Sequence, residues 1–164
     1  MMFVATRTLT SEQILSLLTV APTQIAEATA GLTPAQLRTC PQPDEWSAND
    51  VLAHLRACSD VWGRDMARIL AEDEPTIRAV NPRTWISETN YPELEFHPSL
   101  RRYTMQRTTL LQQLRSLTTD QWSRCATITG AGAPLQKTVL SYGDRMARHE
   151  RAHVKQIQQI AAAV

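Results

Sequence analysis

The sequence predicts an all-α protein, a four-helix bundle with a long crossover between helices 2 and 3. Apolar residues recur at spacings of three and four in four long segments, which is the pattern of amphipathic helices. Strand-like alternation never persists beyond a few positions, and no repeat of about 20–50 residues is present. Short turns and one long connection between such helices are typical of a four-helix bundle. With 164 residues, the chain is expected to form a single domain over residues 1–164.

The first helix is predicted over residues 11–30, where apolar side chains line one face. Pro22 lies inside this segment, so we expect a kink or a split into two helices. Thr33-Pro34 then predicts a cap and the first position of a short helical turn. The apolar positions of the first helix are Ile14, Leu17, Leu18, Ala21, Ile25, Ala28 and Leu32.

The second helix has the clearest start in the chain. Ser47 and Asp50 form a capping box directly before the segment "VLAHLRACSDVWGRDMARIL". At about 100° per residue, His54 lies about 60° from Val51 and about 40° from Cys58 on the helical wheel. Val51 and Cys58 belong to the apolar face, so His54 is predicted to point into the core. The rest of this face consists of Leu55, Trp62, Met66 and Ile69.

The crossover is predicted over residues 71–98, which contain four prolines and show no sustained periodicity. Connections of this length inside a compact domain are usually functional, and we expect this one to help shape a substrate entrance. Trp85, Tyr91 and Phe96 are expected to attach it to the bundle. His97 is interpreted as a loop residue of this segment.

The second half of the chain completes the bundle. Ser99 is predicted to cap the third helix, residues 118–122 a cap with one short turn, and residues 128–134, "ITGAGAP", a loop. The final helix is predicted from about Thr138 to about Ala161. The inner face of the third helix comprises Leu100, Tyr103, Arg107, Leu110, Leu114 and Leu117, and that of the final helix Val139, Tyr142, Met146, His153, Ile157 and Ile160.

The charge balance and the cysteines limit the function classes. The net charge of +1, from 17 lysines and arginines against 16 aspartates and glutamates, offers no electrostatic basis for binding nucleic acid or an anionic membrane. No window approaches the roughly 18 apolar residues of a membrane span. Cys40, Cys58 and Cys125 contain no C-x-x-C pair, which fits a reducing compartment. We therefore expect a soluble cytoplasmic protein without nucleic-acid or membrane partners.

Three histidines form the candidate metal site. His149-Glu150-Arg151-Ala152-His153 matches H-E-x-x-H, and histidines at this spacing stand one helical turn apart, close enough to bind one ion. His54 also points inward, and three imidazoles inside an apolar bundle are costly unless something binds them. Three neutral nitrogen ligands without a fourth favour zinc, nickel or another late first-row ion with open positions. The alternative is that the histidines are boundary residues hydrogen-bonded to their neighbours.

Glu150 and Cys58 are the remaining pocket candidates. A zinc protease takes its third ligand beyond the H-E-x-x-H motif, but no His, Asp or Glu follows His153, so a protease is disfavoured. Glu150 falls near the inner face of its helix, where it either orients another group or acts as a base, or instead pairs with Arg107. Cys58 is either a further ligand or nucleophile or a small buried apolar residue.

The chain resembles the DinB superfamily of damage-inducible-type four-helix bundles over roughly residues 10–162. The motifs that carry the resemblance are "PDEWSANDVLAHLRACSD", with His54 seven residues after Ser47, and "RMARHERAHVKQI". The resemblance implies that His54, His149 and His153 bind a divalent metal, commonly nickel or zinc, and that the protein is a homodimer. Some members of the family are similar to metal-dependent hydrolases, and others to thiol transferases or isomerases that use bacillithiol, mycothiol or glutathione.

Two functional hypotheses follow. The leading one is a metal-dependent thiol transferase or hydrolase that acts on a small-molecule substrate, with a low-molecular-weight thiol as cosubstrate in the transferase case. In such an enzyme the ion lowers the pKa of a bound thiol or water. The competing hypothesis is a non-catalytic, metal-stabilised bundle that serves as a structural or interaction protein. The sequence assigns no catalytic residue.

Overall fold

Four long helices dominate the computed structural model, which describes residues 7–164. This architecture confirms the predicted all-α class, the four-helix bundle and the long crossover between its second and third helices. None of the described helices combines the length and apolar character that a membrane crossing requires. The elements are α1 (Ser11–Thr29), α2 (Pro34–Leu37), α3 (Ala48–Ala71), β1 (Thr76–Arg78), α4 (Pro82–Trp85), 3₁₀ turns at Ile86–Glu88 and Tyr91–Glu93, α5 (Phe96–Arg115), α6 (Thr119–Ser123), β2 (Cys125–Thr129), β3 (Leu135–Thr138) and α7 (Val139–Ala163).

Capping boxes fix the starts of α1, α3 and α7. The Ser47 hydroxyl accepts a hydrogen bond from the Asp50 backbone N–H, and the Asp50 carboxylate accepts one from the Ser47 backbone N–H, as predicted. Thr138 caps α7 in the same manner. The helix α1 runs without interruption through Pro22, so the expected split does not occur. Pro22 is buried, and packing of this inner face outweighs the one backbone hydrogen bond that proline cannot donate.

A small three-stranded sheet was not predicted. The strand β1 pairs parallel with β2, and β2 pairs antiparallel with β3. The segment predicted as a loop at 128–134 therefore contains the end of β2 and the turn of a hairpin, in which Gly130 and Gly132 adopt positive φ angles of 82° and 95°. Strands of three to five residues are too short for alternation to stand out from the surrounding sequence.

The helix α5 begins earlier than predicted. Glu95 is its N-terminal flanking residue, and the Ser99 N–H already donates to the Glu95 carbonyl at 3.0 Å. Pro98 is tolerated because the N–H groups of a first helical turn have no partner within the helix. The expectation that His97 is a loop residue was wrong, since His97 lies exposed in this first turn.

Trp85 and Tyr91 attach the crossover to α3, as expected, whereas Phe96 is the first residue of α5. The Trp85 indole N–H and the Tyr91 hydroxyl both donate to the Asp60 carboxylate, at 3.2 and 2.7 Å. The Phe96 ring is buried in the core. These contacts hold residues 82–93 across the outer surface of α3, beside His54.

The apolar core has two parts. The sheet-end cluster contains Leu110 of α5 and Met146 of α7, whereas the far-end cluster contains Tyr103 of α5 and Val154 of α7. Polar side chains of α3, α5 and α7 lie where the two clusters meet. This polar layer consists of His54, Arg107, His149, Glu150 and His153.

Candidate metal centre

The three predicted histidines come together on neighbouring faces of α3 and α7. The Nε2 atom of His149 lies 3.1 Å from the Nε2 atom of His54 and 3.1 Å from that of His153. One ring nitrogen from each histidine can be chosen so that all three lie within 4.8 Å of one another. His149 and His153 reach the same point because they are one turn apart, and His54 reaches it from the inner face of α3.

The spacing of these nitrogens fits a metal ion. Two imidazole ligands about 2.1 Å from one ion, at angles between 90° and tetrahedral, lie about 3.0–3.4 Å apart. Both measured separations fall in that range. Three imidazole lone pairs directed at one point would otherwise repel one another in a partly buried site. The cluster can therefore hold a divalent metal ion.

Gln156 orients one of the three rings. Its side-chain Oε1 lies 2.7 Å from His153 Nδ1, so the Nδ1–H donates to the amide oxygen. This contact leaves the Nε2 lone pair of His153 directed at the cluster. Hydrogen bonds of this kind fix the tautomer and the orientation of metal-binding histidines.

Burial keeps the three imidazoles uncharged at neutral pH. Burial, together with the charge of His153, lowers the pKa of His54 to about 4. The same causes and the charge of His54 lower the pKa of His149 to about 3. Burial also lowers the pKa of His153, although the hydrogen bond to Gln156 opposes the shift. Each ring therefore offers a free lone pair without first losing a proton.

Two tryptophan rings pack against the histidine cluster. The Trp46 ring packs edge-on against His54, at 5.1 Å between centroids, and stacks near His153 at 6.2 Å. The Trp62 ring packs edge-on against His149 at 4.9 Å. These rings restrict access of water to the histidines and hold them in place.

Cys58 lies behind the cluster, one turn along α3 from His54. Its Sγ atom is 3.5 Å from His54 Nε2, but it is not part of the group whose ligand atoms converge. Burial raises the pKa of the Cys58 thiol to about 12, so it is protonated at neutral pH in the metal-free protein. A protonated, buried thiol is a poor nucleophile.

Glu150 pairs with side chains of α5. Its Oε1 accepts hydrogen bonds from the Tyr103 hydroxyl and the Arg107 guanidinium. All three residues are at most 2% exposed. Burial and the Glu150 charge raise the pKa of Tyr103 well above its usual range, and although burial alone would lower the pKa of Arg107, the carboxylate raises it. Arg107 also donates to the Ser59 hydroxyl at 3.1 Å.

Two open clefts lead to the histidines. The larger, of about 590 Å³, lies beside His153, and the smaller, of about 230 Å³, lies beside His54. Trp46 and Arg83 line both of them. Arg83 belongs to the crossover, which thus contributes directly to the surroundings of the site.

Sequence reasoning missed Trp46, Arg83 and Gln156 as site residues. Gln156 has a usable signal, because it lies three residues after His153 and so on the same helical face. Trp46 lies in the loop before α3, and Arg83 lies in α4, a single helical turn that is too short for a periodic pattern to relate its side chains to the bundle.

Comparison with known proteins places the chain in a family. YfiT from Bacillus subtilis, described as a probable metal-dependent hydrolase with an unusual four-helix bundle topology, is 18% identical, with a TM-score of 0.76 over 96% of this chain and 92% of YfiT. The mycothiol-dependent maleylpyruvate isomerase is 13% identical, with a TM-score of 0.69 over 91% of this chain and 61% of that chain. At these identities the likeness shows a shared fold. No functionally curated protein matches the chain. The model of the DinB superfamily matches residues 17–157, which is most of the sequence, and the chain therefore belongs to the DinB superfamily.

Proposed function

We propose that this chain is a metal-dependent enzyme of the hydrolase or thiol S-transferase kind that acts on a small molecule. In this proposal His54, His149 and His153 hold one divalent ion, nickel or zinc. The observation that carries it is the convergence of three uncharged imidazoles beside open clefts, with two Nε2–Nε2 separations of 3.1 Å and all three ligand nitrogens within 4.8 Å of one another. The described metal dependence of YfiT and the thiol dependence of the isomerase support the two reaction classes.

The ion would supply Lewis acidity, which lowers the pKa of a coordinated water or thiol toward neutrality. The residues of the chain would orient the ligands and exclude water from the site. Gln156 holds His153 in the tautomer that presents Nε2. Trp46 and Trp62 exclude water from two sides of the cluster. Because the three ligands are uncharged, they would not offset the positive charge of the ion, and the site would attract anionic groups.

Glu150 and Cys58 receive supporting roles in this proposal. Tyr103 and Arg107 both bind one Glu150 oxygen, which ties the carboxylate to α5. We assign it the task of fixing α7 against α5, so that His149 and His153 keep their positions. Cys58 packs behind His54 as a neutral residue.

Turnover assays with chelator and matched variants test the proposal. Purified protein would be loaded with zinc or nickel and assayed for transfer of bacillithiol, mycothiol or glutathione to monochlorobimane, and for hydrolysis of small esters and amides. We expect activity that chelator abolishes and that His54→Gln, His149→Gln and His153→Gln each reduce at least about a hundredfold. His97→Gln, an exposed histidine outside the cluster, should behave as the unaltered protein. Turnover without metal would contradict the proposal.

A structural role for the ion is the second candidate, and the position of the histidines favours it. They join α3 to α7 within the polar layer, where an ion would cross-link two helices of the bundle. In that case metal removal would lower stability, while no substrate in the above assays would be turned over.

The assembly and location of the protein complete the proposal. We propose a single domain over residues 1–164 that forms a homodimer in the cytoplasm. Light scattering coupled to gel filtration tests the dimer, since a mass equal to one chain of 18.4 kDa would contradict it.

A further inference from the structure

Arg83 is a cation that lies beside the histidine cluster. It lines both clefts, together with His153 in one and His54 in the other. Among residues 7–164 its guanidinium takes part in no ion pair and no hydrogen bond. Five N–H donors are therefore free at the mouth of the site.

Trp46 links Arg83 to the cluster. The Arg83 guanidinium carbon lies 5.4 Å from the centroid of the Trp46 ring, within the range of a cation–π contact. The same ring packs against His54 and His153. The guanidinium is thereby held beside the histidines while its donors remain available to a ligand.

The charges around the smaller cleft favour an anion. Its one carboxylate, Asp50, is engaged by the backbone N–H and hydroxyl of Ser47, whereas Arg83 is unpaired. The larger cleft is less selective, because Asp44 and Glu45 also line it.

The remaining walls of the smaller cleft are apolar. They are formed by Trp46, Ala53, Ile86 and Pro92, and the cleft measures about 230 Å³. Such a space suits a small acid with an apolar body, with its anionic group at Arg83 and its body against Trp46.

We propose that Arg83 is a substrate-binding residue that selects small carboxylates or similar planar anions carrying an apolar group, and that it places them beside His54. This inference rests on the proposed function, because it names the substrate class of the same site. The planar fork of an arginine suits bidentate recognition of a carboxylate.

The test uses a matched pair of probes, 4-fluorobenzoate and uncharged 4-fluorobenzamide, with dissociation constants measured by ¹⁹F NMR. Both are titrated into the metal-free and the zinc-loaded full chain. We expect the metal-free protein to prefer the carboxylate by about fivefold or more. Arg83→Gln should remove this preference, and Arg83→Lys should keep part of it because the charge remains. Arg101→Gln, an exposed arginine of α5, is the control and should leave the preference unchanged.

The metal-free titration separates this inference from the proposed function. If Arg83→Gln retains the preference, or if the unaltered protein has none, the assignment of Arg83 is overturned, whatever the zinc titration gives. If the unaltered protein fails to bind zinc, the proposed metal site fails, while a preference that depends on Arg83 still supports the anion site. Arg83→Gln should bind zinc as tightly as the unaltered protein does, which checks that the variant is folded.

Discussion

Among single residues, the buried ion pair of Arg107 and Glu150 makes the sharpest prediction for stability. Arg107→Met would leave the Glu150 carboxylate buried without its cation, and we expect a loss of about 3–5 kcal/mol in the free energy of unfolding. The double variant Arg107→Met, Glu150→Met should recover much of this loss, because the unpaired charge is then gone. Urea unfolding of the metal-free protein measures both.

The control is Arg68→Met, whose partner Glu72 is one turn away on the surface of α3. Both side chains are well exposed, so only a small change is expected. A single variant of Arg107 that is as stable as the Arg68 variant would contradict a buried ion pair between Arg107 and Glu150.

The pKa values of His54 and His149 predict how acid affects the metal-free protein. Their folded-state values, about 4 and about 3, lie below the 6.5 of an unperturbed histidine. Below pH 6.5 the unfolded chain therefore binds protons that the folded chain does not, and stability falls as the pH is lowered from 6.5 toward 4. The slope for buried His54 is at most about 1.4 kcal/mol per pH unit. It is smaller for His149, which is only partly buried.

Urea midpoints between pH 7.5 and pH 4.5, in the presence of chelator, test this dependence. Above pH 7, His54 and His149 should cause no change in the free energy of unfolding with pH. The decline below pH 6.5 should be shallower in His54→Gln. An identical decline in the two proteins would mean that His54 is protonated freely in the folded state.

The histidine site could be predicted from sequence because it depends on residue spacings within single helices. The spacing of His149 and His153 and the position of His54 relative to Val51 define helix faces, and helix faces determine what points inward. Arg83 could not be found in this way, since its place at the clefts depends on how the crossover packs on α3. That packing is set by Asp60, Trp85 and Tyr91, which are distant in sequence from the histidines of α7.

At the scale of helices, the surroundings of two glycines predict opposite effects on stability when each is replaced by alanine. A Cβ on Gly143 of α7 would lie 3.2–3.3 Å from atoms of Ile14 and Trp122, whereas a Cβ on Gly63 of α3 would meet nothing within 4 Å. Gly63→Ala should therefore stabilise the protein by about 0.5–1 kcal/mol through helix propensity alone. Gly143→Ala gains the same helix propensity, but its methyl group overpacks the contact of α1 with α7. Overpacking of this kind typically costs about 1–3 kcal/mol, so we expect a net loss of stability.

Thermal and urea unfolding of the two alanine variants provide the comparison, and each serves as the control for the other. If Gly143→Ala were as stable as Gly63→Ala, the helices α1 and α7 would have to separate slightly at no cost.

The long helices could be predicted and the sheet could not, for a physical reason. An amphipathic helix of 19–25 residues repeats its pattern several times, whereas strands β1, β2 and β3 hold three to five residues each. The pairing of β1 with β2 joins segments about fifty residues apart in the chain, which no local pattern specifies. Ser99 is a good capping residue, but α5 begins earlier, at Phe96, whose ring is buried in the core.

Across the whole molecule, the polar layer divides the apolar core and determines how the helices align. The ion pair links α5 to α7 on one side, and the histidines link α3 to α7 on the other. Any sliding of α7 along its axis would bury charges and imidazoles among apolar side chains of the sheet-end or far-end cluster. The layer thus specifies the register of the bundle, at some cost in the apolar area that these positions could have buried.

Metal binding at this layer should stabilise the whole fold, because the ion would be bound by the folded state and hold α3 to α7. At a free zinc concentration of one hundred times the dissociation constant, the expected gain is about 2.7 kcal/mol. For a chain of this size that gain raises the melting temperature by roughly 5–10 °C. His54→Gln should lose most of the increase, and His97→Gln, whose side chain is exposed in the first turn of α5, should keep it. Calorimetric scans with zinc and with chelator measure the shift, and an equal shift in the two variants would place the stabilising ion somewhere other than the three histidines.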